Sequence, residues 1–200
     1  MKATERHHRA RPSAARIKTA PSARQATLLR QIQRAQSRIM KLAPYRDIGL
    51  EPNPPASAQA IAVAETRLGF TLPASYKAFL LQHDGWPRFW EGATLLGTAS
   101  LGRRDYDDLA RSILLASETP TSEATSAPSN KSAPARPALV PFGIDVQGTT
   151  LFAFEGGEAV VAWVNEIGLR RESFDDFLES ILELAEAELE ERGSGLLRTG

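Results

Sequence analysis

Residues that start and stop helices constrain this chain most tightly between positions 57 and 85. Ser57 offers an N-cap oxygen, and Gly69 can adopt the left-handed conformation that closes a helix. Pro73 then stands where a second helix begins, and Asp84-Gly85 ends it. This punctuation predicts two short helices that meet at a tight corner.

Apolar residues recur at helical spacing in both predicted helices, so each helix has one face to bury. These residues are Ile61, Ala64 and Leu68 in the first helix, and Tyr76, Phe79 and Leu80 in the second. A domain boundary is expected just before them, because the prolines of residues 51–55 cannot continue a helix and favour an extended linker.

Short apolar runs typical of strands follow the corner, at residues 93–96, 139–142, 150–154 and 159–164. The last two runs are joined by the glycine-rich turn 155–158, which favours an antiparallel hairpin. A turn at Gln147-Gly148 lets the preceding run pair with the same hairpin. The pattern predicts a meander of three strands.

Two further helices and one irregular segment complete the predicted domain. Helices are expected at residues 105–117 and from Ser173 onward, where Ser173 and Asp176 resemble a capping box. Residues 118–137 are dominated by Ser, Thr, Ala and Pro and predict a flexible insertion. We therefore expect an α+β domain over residues 51–192, with an antiparallel or mixed β-sheet flanked by helices, and a tail at 193–200.

Charge is segregated along the chain although its formal net value is zero. Residues 1–50 hold twelve Lys and Arg against two acids, and residues 51–200 hold twelve against twenty-two. Residues 1–23 predict a disordered basic tail, and residues 24–50 a basic amphipathic helix and linker. The apolar stripe of this helix consists of Leu28, Ile32, Ala35, Ile39 and Leu42.

Two interpretations of this basic arm remain open. Its apolar stripe can pack on the domain or on a second copy of the chain. Alternatively, its cations can bind nucleic acid or another anionic surface, because clustered Lys and Arg release counterions when they contact phosphates.

Several classes of function are disfavoured. Without cysteine the chain has no disulfide, thiolate metal site or cysteine nucleophile. The sequence has neither a membrane-spanning apolar run nor a secretory signal, so we expect a cytoplasmic protein. His83 has no evident serine or metal partner, and Asp105, Asp107 and Asp108 are typical of a helix N-terminus. We predict no catalytic, cofactor-binding or metal-binding residue.

The stretch 61–85 resembles the opening motif of the SUKH superfamily, which includes the Smi/Knr cell-wall regulators of fungi and many bacterial immunity proteins. The residues that carry the motif are Glu65, Leu68, Gly69, Leu72, Pro73, Tyr76, Phe79, Leu80 and Gly85. Later segments agree with the family in order, at 140–143, 148–154, 160–163 and 173–178. The chain departs from the family at Asp84, where Asn is usual. The resemblance covers residues 57–185 and implies a Smi/Knr-like, protein-binding fold whose partner it does not name.

The acidic end of the chain indicates how such a domain recognises a partner. Residues 172–191 contain nine acids and no Lys or Arg, and such a surface steers basic partners. For an immunity protein the target would be a toxin with a basic active-site cleft, such as a nuclease. The candidate partner-binding residues are Asp84, Trp86, Phe89, Trp90, Glu179, Glu183 and Glu186, with the aromatic residues as anchors.

Other interpretations compete with this one. Trp86 and Trp90 can instead cover the core, and the acidic face can be solvated or neutralised by the basic arm. A different functional class is a regulatory scaffold that recruits enzymes, or recruits nucleic acid through the arm. Glu65 is expected to be a buried or half-buried hydrogen-bond acceptor near Tyr76 and not an acid catalyst.

Overall fold

The computed structural model describes residues 23–117, 139–164 and 167–196. The predicted insertion at 118–137, and the predicted basic tail except for its last residue, lie outside the described residues. The described elements are α1 (Ala23–Leu42), α2 (Ala58–Leu68), α3 (Ala74–Leu80), β1 (Trp86–Trp90), β2 (Ala93–Leu95), α4 (Arg104–Ser117), β3 (Leu139–Ile144), β4 (Thr150–Glu155), β5 (Val160–Val164), β6 (Ile167–Arg171) and α5 (Phe174–Leu196).

The six strands form one sheet whose spatial order is the order of the sequence, and each strand is antiparallel to its neighbours. The prediction of an α+β fold is confirmed, and the antiparallel alternative is the correct one. The predicted three-stranded meander corresponds to β3–β5. Strands β1 and β6 were not predicted, and α5 continues to Leu196, into the segment expected to be a tail.

The predicted helical corner forms as its punctuation indicates. Ser57 Oγ accepts a hydrogen bond from the Ala60 N–H at 3.1 Å, which caps α2. Gly69 ends α2 with φ 62°, and Pro73 precedes the first residue of α3. Gly85 has φ 87°, and a Cβ atom there would lie 2.6 Å from the backbone nitrogen of Gly97. The turn at the end of the corner therefore requires glycine.

The core lies between the sheet and the helices α1, α3 and α5, and Tyr76 stands at its centre. Its ring centroid lies 5.0–5.4 Å from those of four phenylalanines, which are Phe79, Phe142, Phe154 and Phe174. Its hydroxyl lies 2.7 Å from the Leu96 carbonyl oxygen and 3.2 Å from that of Phe142. Burial raises the pKa of this phenol well above its ordinary value, so the hydroxyl stays a hydrogen-bond donor.

Helix α1 shares the same core, although its sequence reads as an appendage. Four residues of its predicted stripe are buried, whereas Leu42 at its end is 45% exposed. Two glutamines on its inner face donate hydrogen bonds to other parts of the fold. Gln25 donates to the Ser75 carbonyl oxygen at 2.9 Å, and Gln36 donates to that of Phe89. The sequence left two surfaces open for the apolar stripe of α1, the chain's own domain or a second copy of the chain. In the structure the stripe packs on the chain's own domain.

The buried hydroxyl of Tyr76 makes a testable contribution to stability. We expect Tyr76→Phe to lower the free energy of unfolding by about 1–3 kcal/mol, because the Leu96 carbonyl loses its donor inside the core. Urea denaturation followed by circular dichroism measures the change. The matched control is Tyr106→Phe, since the Tyr106 hydroxyl makes no hydrogen bond with another described residue. Equal effects of the two substitutions would contradict the assignment.

His83 makes stability depend on pH. Its ring packs beside Phe79 and Trp86, and burial lowers its pKa below the ordinary value, although a hydrogen bond with the Asn53 backbone acts in the opposite direction. As the pH falls, His83 is therefore protonated in the unfolded chain at a higher pH than in the folded protein. We expect wild type to lose stability relative to His83→Gln as the pH drops below about 6.5, and the two to differ by a constant amount above it. Parallel urea-denaturation profiles across this range would refute the prediction.

Candidate functional site

The acidic helix α5 presents a row of carboxylates along one face. Glu179, Glu183, Glu186 and Glu190 recur at spacings of four, three and four residues, which places them on one face of the helix. We call these four residues the acidic ridge. Glu183, Glu186 and Glu190 are exposed and form no hydrogen bond or ion pair through their side chains with another described residue.

The ridge runs beside α1, and the two helices are parallel. At their N-terminal ends, Arg24 pairs with Glu179 at 2.6 Å, and Gln25 donates a hydrogen bond to Asp175 at 2.7 Å. Further along, Arg38 of α1 lines one narrow groove with Glu186 and Glu190. Among the described residues, direct ion pairing of the basic arm with the ridge is therefore limited to Glu179 at its N-terminal end, while Arg38 adjoins Glu186 and Glu190 without an ion pair.

Other acids of α5 serve the fold. Glu188 lies on the opposite side of α5 from the ridge, where it pairs with Arg46 at 3.2 Å and with Arg192 at 2.8 Å. Arg46 also pairs with Glu91 after β1, so this ion-pair network joins α5 to the β1–β2 turn. The nine acids that look alike in the sequence thus divide into a structural group and an exposed group.

The proposed aromatic anchors lie in the core, which corrects the expectation that they form a binding surface. Trp86 is 1% exposed, Phe89 is fully buried and Trp90 is 5% exposed. Trp86 also donates its indole N–H to the Gly49 carbonyl oxygen at 2.7 Å. These side chains belong to the edge strand β1, which α1 and the segment after it cover, so a partner cannot reach them. The alternative in which the two tryptophans cover the core agrees with the structure.

Asp84 and Glu65 act as local hydrogen-bond acceptors. The carboxylate of Asp84 accepts hydrogen bonds from the backbone N–H and the hydroxyl of Thr98, so both its oxygens are engaged within the fold. Glu65 is half-buried, as expected, but its partners are the Leu72 N–H at 2.8 Å and Lys77 Nζ at 3.1 Å, not Tyr76. Both residues hold the corner in place, and neither points to a role in contact with a partner.

The remaining motif residues support the same corner. Leu72, Tyr76, Phe79 and Leu80 are buried, whereas Leu68 is half-buried and packs against the core. Gly69, Pro73 and Gly85 set the turns described above. The family-like motif is therefore a folding motif, and the exposed ridge lies in a different part of the sequence.

A cleft of about 540 Å³ opens on the opposite face of the sheet, between α2, α4 and strands β3 and β4. Phe70, Leu114 and Leu139 give it apolar walls, and Asp107 lies at its side. Burial raises the pKa of Asp107, and the neighbouring charge of Asp108 adds to this effect. Sequence reasoning missed the cleft because its walls come from segments that are far apart in the chain.

His83 and Asp105, which were weighed from the sequence as catalytic or metal-binding candidates, have structural contacts in the described part of the chain. Within residues 23–117, 139–164 and 167–196, no three His, Asp or Glu side chains converge as metal ligands do. His83 packs against aromatic rings, and Asp105 pairs with Arg103 at 3.1 Å.

Sequence reasoning also missed Glu190, the fourth member of the ridge. Its place was readable from the helical spacing, because Glu190 follows Glu179 by eleven residues and Glu186 by four.

No helix of the described part of the chain combines the length and the apolar character that crossing a membrane takes.

Comparisons with known proteins give one finding about identity. A search of curated proteins returned no match. The model of the SMI1 / KNR4 family (SUKH-1) matches residues 55–180, a range that contains α2, α3, α4, all six strands and the first part of α5. The match confirms the resemblance found in the helical corner, and it leaves α1 and residues 181–196 of α5 outside. The chain therefore belongs to the SMI1 / KNR4 family (SUKH-1).

Proposed function

We propose that this protein binds another protein without catalysis, and that it neutralises a cognate bacterial toxin in the cytoplasm. The observation that carries the proposal is the acidic ridge, where three carboxylates without partners among the described residues stand on an ordered helix. Membership of a family that includes immunity proteins gives this surface a functional context.

The ridge has the geometry of a recognition surface for a basic cleft. Its four acids span eleven residues of helix, which corresponds to about 16 Å. Because α5 is packed into the core through Phe174, Phe177 and Leu178, the carboxylates are displayed on a rigid support. The backbone of the ridge is already ordered before a partner binds, so the ordering cost falls on its glutamate side chains.

The chemistry of the ridge suits a toxin that acts on nucleic acid. An active site that binds a phosphate backbone is lined by Lys and Arg, and carboxylates on a helix compete for the same cations. Such opposite charges raise the association rate and exclude partners of the wrong sign. This is the reason to propose a toxin with a basic active-site cleft over one with an apolar cleft.

Neutralising the ridge tests the proposal. We expect Glu183→Gln, Glu186→Gln and Glu190→Gln together to slow association with the toxin domain by about tenfold or more at low ionic strength, because long-range attraction is lost. Surface plasmon resonance with the purified toxin domain, encoded by a gene expected next to this one, measures the rate. The difference should shrink as salt is added.

A control of equal charge separates the ridge from overall acidity. Glu51→Gln, Asp105→Asn and Asp108→Asn together remove three exposed carboxylates that lie outside α5. We expect this variant to associate at nearly the wild-type rate. The ridge is not the binding surface if both triple variants associate equally fast. If the neighbouring gene encodes no toxin, the regulatory scaffold becomes the favoured function.

A further inference from the structure

A second charged surface, of opposite sign, lies on α1. Arg30, Arg34, Arg38 and Lys41 recur at spacings of four, four and three residues, and all four side chains are exposed. We call these four residues the basic stripe. The helix carries no acid at any position from Ala23 to Leu42, so no carboxylate of α1 itself offsets the stripe.

The stripe is not used by the fold. Arg24 and Arg46 engage carboxylates of α5, and Arg24 lies on α1 beside the ridge. In contrast, Arg34, Arg38 and Lys41 make no hydrogen bond or ion pair through their side chains with another described residue. Arg30 donates only to the hydroxyl of Thr27, at 3.2 Å. Four cations are thus held on one face without a structural role.

Docking of α1 on the domain makes this stripe a fixed array. Leu28, Ile32 and Ile39 are buried against the rest of the core, which holds the helix and sets the direction of its solvent face. The array extends over eleven residues, or about 16 Å of helix. A linear row of cations of this length matches a regularly charged polymer better than it matches a single small anion.

We propose that the basic stripe binds nucleic acid through the phosphate backbone, without reading its sequence. Three of the four cations are arginines, whose planar guanidinium groups donate paired hydrogen bonds to phosphate oxygens. Such contacts release counterions and give affinity that falls steeply with salt. Residues 1–22 lie outside the described residues; their sequence holds six Lys and Arg against one acid, and the test below treats them separately from the stripe.

The burial of α1 favours nucleic acid over a membrane surface. An amphipathic helix binds a bilayer by inserting its apolar face among the lipids. In this protein the apolar face of α1 is already buried in the core, and only the cationic face is free. Polyphosphate binding requires that cationic face alone.

The test compares full-length variants of equal net charge. In the stripe variant, Arg30, Arg34, Arg38 and Lys41 are all replaced by Gln. In the control variant four exposed cations elsewhere, Arg88, Arg103, Arg104 and Arg111, are replaced by Gln. Fluorescence anisotropy with a labelled mixed-sequence DNA duplex and a labelled single-stranded RNA measures affinity across a salt series. Thermal unfolding confirms that all variants remain folded.

We expect the stripe variant to lose about tenfold or more in affinity at low salt. With duplex DNA, the slope of log affinity against log salt should become shallower by about 3.6, which is about 0.9 for each of the four cations. The control variant should stay within about twofold of wild type. A tail variant with Gln at every Lys and Arg of residues 1–22 should keep the part of the salt dependence that comes from the four cations of the basic stripe. The proposal is supported if the tail variant keeps this part of the salt dependence and the stripe variant loses it.

Three results would overturn it. The first is equal weakening in the stripe and control variants, which would show dependence on net charge alone. The second is loss of all binding in the tail variant while the stripe variant binds as wild type does. The third is binding to vesicles rich in phosphatidylserine without binding to either nucleic acid. None of these results bears on toxin binding by the acidic ridge, so the two proposals can fail separately.

Discussion

The buried hydroxyl of Tyr76 is the contact on which the rest of the fold depends. It joins α3 to the carbonyl oxygens at the end of β2 and in β3, while its ring contacts those of four phenylalanines from α3, the sheet and α5. A phenol can satisfy a polar partner and fill apolar space at once, which makes it suited to such a junction. With the corner held in this way, α5 packs through one apolar face and leaves its ridge exposed.

Much of the fold could be predicted because local signals agree with the final packing. Ser57, Gly69 and Pro73 each favour the cap or turn geometry that they adopt, and tertiary contacts do not override them. Strand β1 was missed because Pro87 interrupts its pattern, Arg88 adopts φ 50°, and the pairing of β1 with β2 is irregular. Its three aromatic residues were therefore predicted to be surface anchors, whereas in the structure they are buried in the core.

The candidate site was only partly predictable, since a sequence shows charge but not what opposes it. The acids of α5 could be counted, yet their division into Glu188, which pairs with arginines, and Glu183, which faces solvent, depends on where α1 and the β1–β2 turn pack. The docking of α1 itself depends on Gln25 and Gln36, whose amides reach backbone carbonyls fifty or more residues away. No local pattern announces a contact of that kind.

Two oppositely charged surfaces on neighbouring helices constrain each other. The two surfaces adjoin, because Arg38 of the stripe lines one groove with Glu186 and Glu190 of the ridge. The acidic ridge repels a polyanion from α5, and the basic stripe repels a cationic protein from α1. For the two proposed partners, each surface therefore restricts which molecule its neighbour binds and in which orientation. Arg24 and Glu179 form their ion pair at the N-terminal ends of α1 and α5. Along the rest of the two helices, the selection of partners by charge is therefore retained.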